Sequence, residues 1–188
     1  GVIDPATLFE KPLPLVFEIG YGMGQSLAAM AQADPTLGFI GVEVHRPGVG
    51  ALLMAAEELQ LSNLRSYCDD AVDILEQCIP DGSLQRVQLY FPDPWHKKKH
   101  HKRRIAQASF VELVRRKLKP SGVLHMATDW ENYAEHMLEN MQQQVHFFNV
   151  AGEAHFVSPE GLRPETKFER RGLKLGHGVW DMVYERKD

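Results

Sequence analysis

Short apolar runs alternate with amphipathic stretches along most of this 188-residue chain. "LPLVFEIG" (13–20), bounded by prolines and a glycine cluster, predicts a buried strand. From Gln25, Leu27, Met30 and Ala31 fall at i, i+3 and i+4 spacing, which predicts a helix that "ADPTLG" breaks. The pair then repeats: strand 39–45 with helix 48–61, and strand 63–69 with helix 71–79. A fourth strand spans 85–91, and helix 108–119, ended by "PSG", leads into strand 123–129. Helix 131–144 and strands 146–152 and 178–186 complete the pattern. Strands separated by helices of this length predict an α/β fold with a mostly parallel sheet covered on both faces. No helical pattern separates the last two strands, so the final one is expected to pair antiparallel. The segment 153–177 between them is long for a compact domain, and such loops tend to be functional.

Composition narrows the picture little but excludes several classes. The length fits one globular domain spanning 1–188. No window approaches the ~20 apolar residues of a bilayer span, and the first residues lack a secretory pattern, so a soluble cytoplasmic protein without a membrane partner is expected. Cys68 and Cys78, ten residues apart, imply neither a zinc site nor a disulfide and are read as packing residues. The histidines lack metal-ligand spacing, and no metal is expected. The formal net charge is −4, so any polyanion must be met by local patches. One patch stands out: "HKKKHHKRR" (96–104) holds six Lys or Arg in nine positions. A second cluster, Arg163, Lys167, Arg170, Arg171 and Lys174, lies in the long loop.

Chemistry concentrates at predicted strand ends. "EIGYGMGQS" follows the first strand and opens a helix, which is the cofactor position of an open α/β sheet. Gly20, Gly22 and Gly24 let backbone approach a ligand, but their GxGxG spacing is not the GxGxxG of dinucleotide enzymes. Glu18, just before them, would repel a pyrophosphate and suit a donor bearing an ammonium and a sulfonium, such as S-adenosylmethionine. Glu43 stands where an acid accepts hydrogen bonds from two ribose hydroxyls, and Asp70 where one reaches an adenine edge. Both also stand where an acid can cap the following helix. After the fourth strand, Pro92 and Pro94 restrain Asp93 between them, and the basic run follows at once.

"EIGYGMGQS", "GVEVHRPGVG", "YFPDPWHKKKHHKRR", "MATDWENYAEHML" and "RPETKFERRGLKLGHGVWDM" together resemble the bacterial tRNA (guanine-N7-)-methyltransferase family, the TrmB type, from about Phe17 to about Arg186. The family has a further N-terminal segment, which is expected to be missing from residues 1–188. The resemblance implies a class I, Rossmann-like methyltransferase fold, S-adenosylmethionine as donor, and methylation of the guanine at tRNA position 46, in the variable loop. It implies that Glu18, Glu43, Asp70 and Asp93 contact the cofactor and that Asp93 is also the catalytic acid. Lys97, Asp129, Thr166, Lys167, Phe168 and Glu169 would meet the substrate, and Lys99, His100, His101, Lys102, Arg103 and Arg104 the RNA.

Other readings of single residues stand beside these. Asp129 could instead cap the helix from Glu131, Phe168 could anchor the loop, and Trp95 and Trp130 could stack on bases or pack. A non-catalytic RNA-binding protein of the same fold and a nicotinamide-dependent dehydrogenase are the alternative functions. Monomer and homodimer are both compatible with the sequence.

Overall fold

The chain is described from a computed structural model, which covers residues 1–166, 169–170 and 178–188. Seven strands form one sheet in the order β3-β2-β1-β4-β5-β7-β6. They are β1 (Leu15–Ile19), β2 (Gly38–Val42), β3 (Leu64–Tyr67), β4 (Leu84–Tyr90), β5 (Leu118–Thr128), β6 (Phe147–Asn149) and β7 (Trp180–Arg186). The first five are parallel, and β7 runs antiparallel between β5 and β6, as the missing helical pattern predicts. The helices are α1 (Gln25–Ala33), α2 (Arg46–Glu58), α3 (Ala71–Cys78), α4 (Ala108–Lys117) and α5 (Glu131–Gln142).

Strand alternation divides the core between two faces. Val16 and Phe39 pack with Leu27, Ala28 and Ala31 of α1 and Leu52 of α2. Leu15, Phe17, Val87, Leu124 and Met182 face the other way, against Ile74 of α3, Phe110 and Val114 of α4, and Met137 and Met141 of α5. Because the chain winds outward from β1 through β2 to β3, then returns to lay β4 on the other side of β1, the connections after β1 and β4 diverge. This is the topological switch point, where a crevice opens beyond the carboxyl ends of the strands.

Several boundaries depart from the sequence pattern. β2 stops at Val42, leaving Glu43 just beyond it, and α2 begins two residues earlier than periodicity indicates, with Pro47 in its first turn. "PSG" does not separate α4 from β5. β5 starts at Leu118, and its register against β4 jumps from Leu84↔Leu118 to Arg86↔Val123, so Pro120, Ser121 and Gly122 form an irregularity inside the strand. Strand β6 keeps three of the seven residues expected. Cys78 packs against the core as read, whereas Cys68 is exposed beyond β3; both are free thiols.

Asn63 ties α1 to the sheet. Its buried side-chain amide donates toward the carbonyls of Ala31, Asp34 and Leu37 at 3.0, 3.2 and 2.9 Å, holding the turn that ends α1 against the start of β2. Asn63→Ala leaves those carbonyls without their donor and is expected to lower stability by about 1–3 kcal/mol. Urea denaturation followed by circular dichroism measures it.

Candidate functional site

The carboxyl edge of the sheet carries an acid beside each parallel strand. In spatial order these are Asp70 after β3, Glu43 after β2, Glu18 in β1, Asp93 after β4 and Asp129 after β5. Adjacent strands lie about 4.8 Å apart, so the row spans roughly 19 Å. That length accommodates an extended nucleoside with an amino-acid tail and a purine beside it.

The glycine loop is shaped before any ligand arrives. Gly20, Gly22 and Gly24 have φ of 70°, 62° and 78°, which other residues adopt with strain, and a Cβ on Gly24 would meet Leu52 at 2.7 Å. Gly22 N–H donates to Glu43 Oε2 at 2.8 Å and His45 N–H to Oε1 at 2.9 Å, fixing the Glu43 carboxylate with a free lone pair on each oxygen. Asp70 does cap α3, accepting from Val72 N–H at 2.8 Å and Asp73 N–H at 3.3 Å through Oδ1. Its Oδ2 takes no part in the cap, so capping and ligand contact coexist in this residue.

Glu18 differs from its neighbours. It is 3% exposed, and among the described residues its Oε2 has no hydrogen-bond partner. Burial pushes its pKa from 4.5 up to about 8. At neutral pH the carboxyl therefore holds its proton, and a cation placed beside it would favour its ionisation.

At the fourth strand end the backbone is strained on both sides of the Pro-Asp-Pro sequence. Phe91 has φ 51° and Trp95 φ 47°, costing about 1–3 kcal/mol each. The turn is held by Phe91 N–H donating to Ala127 O at 2.8 Å and Trp95 N–H donating to Asp93 Oδ1 at 2.9 Å. Asp93 itself is exposed. Asp129 is also exposed and does not cap α5: the cap position is Trp130, and among the described residues the Asp129 carboxylate accepts no hydrogen bond. Trp130 is 40% exposed with its ring 4.2 Å from that of His96, while Arg103 lies over Trp95 at 5.0 Å.

The basic run forms a 3-10 turn, Lys98–Arg103, in which Lys97, Lys98, Lys99, Lys102 and Arg103 are exposed and His100 and His101 half-buried. Arg104 departs from the expected RNA-facing cation. It is 2% exposed, its Nε donates to Pro94 O at 2.8 Å, its Nη2 donates to Asn132 Oδ1 at 2.9 Å, and its guanidinium lies over Tyr133 at 4.6 Å. The last basic residue of the run therefore braces the Asp93 turn, with its Nε and Nη2 committed inside the protein.

Arg163 departs likewise from the second basic cluster. It is buried in two paired bonds, to Asp181 at 2.7 and 2.7 Å and to Glu169 at 2.6 and 2.9 Å. Both oxygens of Glu169 are thus held by Arg163. Thr166 N–H donates to Glu169 Oε2 at 3.1 Å while Glu169 N–H donates to Thr166 Oγ1 at 3.1 Å. This reciprocal pair is a capping box, and the Thr-x-x-Glu spacing that encodes it was visible in the sequence. Arg170 is exposed, 3.7 Å from Glu165. Lys167, Phe168, Arg171 and Lys174 lie outside the described residues. Sequence reasoning missed Tyr90, His125, Asn132 and Asp181, the partners that hold these arginines. The one signal was Asp181 itself, an acid inside a predicted strand.

A hollow of about 320 Å³ opens elsewhere, beside β6, lined by Met141, Phe147, Phe148 and Tyr184 among others. None of the strand-end acids lines it.

The strand order and the acid-lined crevice at the switch point define a class I methyltransferase. The solved 16S rRNA methyltransferase KamB has this fold, with a TM-score of 0.65 at 14% identity over 100% of this chain and 95% of that one. A profile described as "Putative methyltransferase" matches residues 12–182. Two curated relatives are each named tRNA (guanine-N(7)-)-methyltransferase. That of Alcanivorax borkumensis is 68% identical over 100% of this chain and 78% of its own length, and that of Saccharophagus degradans 59% identical over 99% and 81%. The chain belongs to the tRNA (guanine-N7-)-methyltransferase family.

Two outcomes follow from the geometry. Because Glu18 holds its proton more tightly folded than unfolded, its contribution to stability is complete below pH 4.5 and is lost as pH rises toward about 8. Denaturation without cofactor should show stability falling across that window, and Glu18→Gln should flatten the fall. Arg104→Lys, which keeps the charge but loses the fork, should lower both melting temperature and methyl transfer while leaving the salt slope of tRNA binding unchanged. Arg103→Ala should reduce that slope by about 1.

Proposed function

We propose that this chain transfers a methyl group from S-adenosylmethionine to N7 of a guanine in tRNA, at variable-loop position 46. The observation that carries the reading is the unbroken row of acids along the carboxyl edge, with the braced Pro-Asp-Pro turn in it and exposed cations directly beyond. Bound S-adenosylmethionine supplies an electrophilic methyl on a positively charged sulfur. The residues present fit it: the orphaned Glu18 carboxyl answers positive charge, the glycine loop is open for close approach, Glu43 has lone pairs left for ribose hydroxyls, and Asp70 keeps one oxygen for the adenine end. A nicotinamide dinucleotide fits worse, since the GxGxG spacing of the loop is not the GxGxxG that seats a pyrophosphate.

Guanine N7 has an in-plane lone pair and no proton, so the nucleophile needs no general base. The chain's task is alignment and charge: the base gains positive charge as its new bond forms, and Asp93 places a carboxylate where that charge develops. The strained Phe91 and Trp95 backbone and the Arg104 brace keep Asp93 from relaxing away. Asp129, exposed at the neighbouring strand end, would grip the guanine edge with Thr166 and Lys97. Lys167 and Phe168 join the substrate-binding set by the family pattern alone. Glu169 serves that set by fixing Thr166. Lys99, His100, His101, Lys102 and Arg103 lie where the phosphate backbone must pass if a base enters the crevice.

The reading is tested with labelled S-adenosylmethionine and unmodified tRNA transcripts carrying guanine or adenine at position 46. Label is expected only in the guanine transcript, and Asp93→Ala is expected to lose at least about 100-fold in turnover with its fold intact. Transfer independent of that guanine would overturn the site; wild-type turnover in the variant would remove Asp93 from the mechanism.

A further inference from the structure

We propose that Arg163, Asp181 and His125 are positioning residues that set the Thr166 turn and the Asp93 turn in register with one another. The proposal rests on the reading that these two turns flank the guanine, and it concerns residues that touch neither guanine nor cofactor.

The argument begins with a face of the sheet. In β5 and β7, Leu124, Met126, Met182 and Tyr184 point to the face covered by α3, α4 and α5, so His125 and Asp181 point to the other. Val157 and Arg163 of the long loop meet that face, at Asp181 and over Tyr90. The pairing Ala127↔Asp181 and His125↔Val183 makes His125 and Asp181 diagonal neighbours, and His125 Nε2 lies 2.7 Å from Asp181 Oδ2. His125 Nδ1 lies 2.9 Å from the Tyr90 hydroxyl. Arg163 closes on Asp181 from the loop side with its Nε and Nη2, and turns Nη1 and Nη2 to Glu169. All four ionisable groups are more than nine-tenths buried.

An ion cluster of this kind is a poor way to gain stability, since desolvation offsets its attraction and an apolar filling would serve as well. Its geometry gives a different reason. Arg163 lies over the rings of Tyr90 and Phe91, 5.5 and 5.2 Å from their centroids, and Phe91 is the strained residue that enters the Asp93 turn. The same guanidinium holds Glu169, which closes the capping box on Thr166. One planar, five-donor group thus touches the root of one turn and fixes the other, while Asp181 and His125 fix the group itself to the centre of the sheet. The loop is pinned a second time by Val157 N–H donating to Asp181 O at 2.9 Å. Burial lowers the pKa of His125 despite the acid beside it, which suits an uncharged imidazole bridging Tyr90 and Asp181.

Misalignment of reacting groups lowers turnover more than binding. Arg163→Lys keeps the charge and loses the fork; it is expected to lower kcat by about 100-fold while the Kd for S-adenosylmethionine and the KM for tRNA stay within about 3-fold. Glu169→Gln, which retains a capping acceptor and loses the ion pair, should give a smaller loss of the same kind. Asp181→Asn should fall between them. Hydrogen exchange supplies a readout independent of catalysis: amides of 157–166 should exchange faster in Arg163→Lys, with those of β1 and β4 unchanged. Wild-type kcat in folded Arg163→Lys overturns the proposal, as does a loss of cofactor affinity matching the loss of kcat. Should Arg163→Lys not fold, Glu169→Gln decides by the same two criteria. If the wild-type chain itself transfers no label to tRNA, the functional reading has failed and exchange alone decides the structural half: unchanged exchange at 157–166 overturns it.

Discussion

The reversal of winding between β1 and β4 is the constraint from which the rest follows. Two successive strand–helix units carry the chain outward from β1 on one side, with α1 and α2 on one face; the next brings it back to β4, with α3, α4 and α5 on the other. Loops that leave toward opposite faces cannot cover the strand ends between them. Glu18 lies buried beneath the centre of that edge, and among the described residues its Oε2 has no hydrogen-bond partner.

Two different uses of charge then lie side by side. Along the rim, Asp93 and Asp129 are exposed, and among the described residues Glu43 and Asp70 accept only from backbone N–H groups, so the rim stays electronegative. Behind it, Arg163, Asp181, Glu169 and His125 satisfy one another completely and present nothing outward. Beyond it, the exposed lysines and Arg103 offer the opposite sign. A chain of modest net negative charge thus holds a local negative crevice next to a local positive shelf, which suits a cationic donor, a base becoming cationic, and a polyanionic carrier.

The parallel sheet and its antiparallel β7 were legible because strand and helix periodicities differ and because no helical pattern precedes β7. The strand-end acids were legible because a glycine cluster marked the first strand end and the rest followed in order. Arg104 and Arg163 were not. Each sits in a run of cations, and a sequence shows the sign of a side chain but not whether a carbonyl, a carboxylate or an aromatic ring waits beneath it. Their partners, Pro94, Asn132, Glu169 and Asp181, are 6 to 28 residues away. For Glu169 the Thr-x-x-Glu spacing fits a capping box as readily as a ligand contact, and the structure shows the two reciprocal bonds of the box. The irregularity at Pro120–Gly122 looked like a break because punctuation residues do not reveal whether a strand ends or merely bulges.

The burial of Arg163 also bears on how such a protein can change over generations. Loops on a sheet rim are ordinarily interchangeable parts, free to lengthen or vary while the scaffold stays put. The segment after β6 is not detachable in that sense, because its arginine is completed by an acid in β7 and, through that acid, by a histidine in β5. A loop grafted from another lineage would arrive without its socket unless both strands changed with it. The specificity of this rim and the interior of its sheet are bound to drift together.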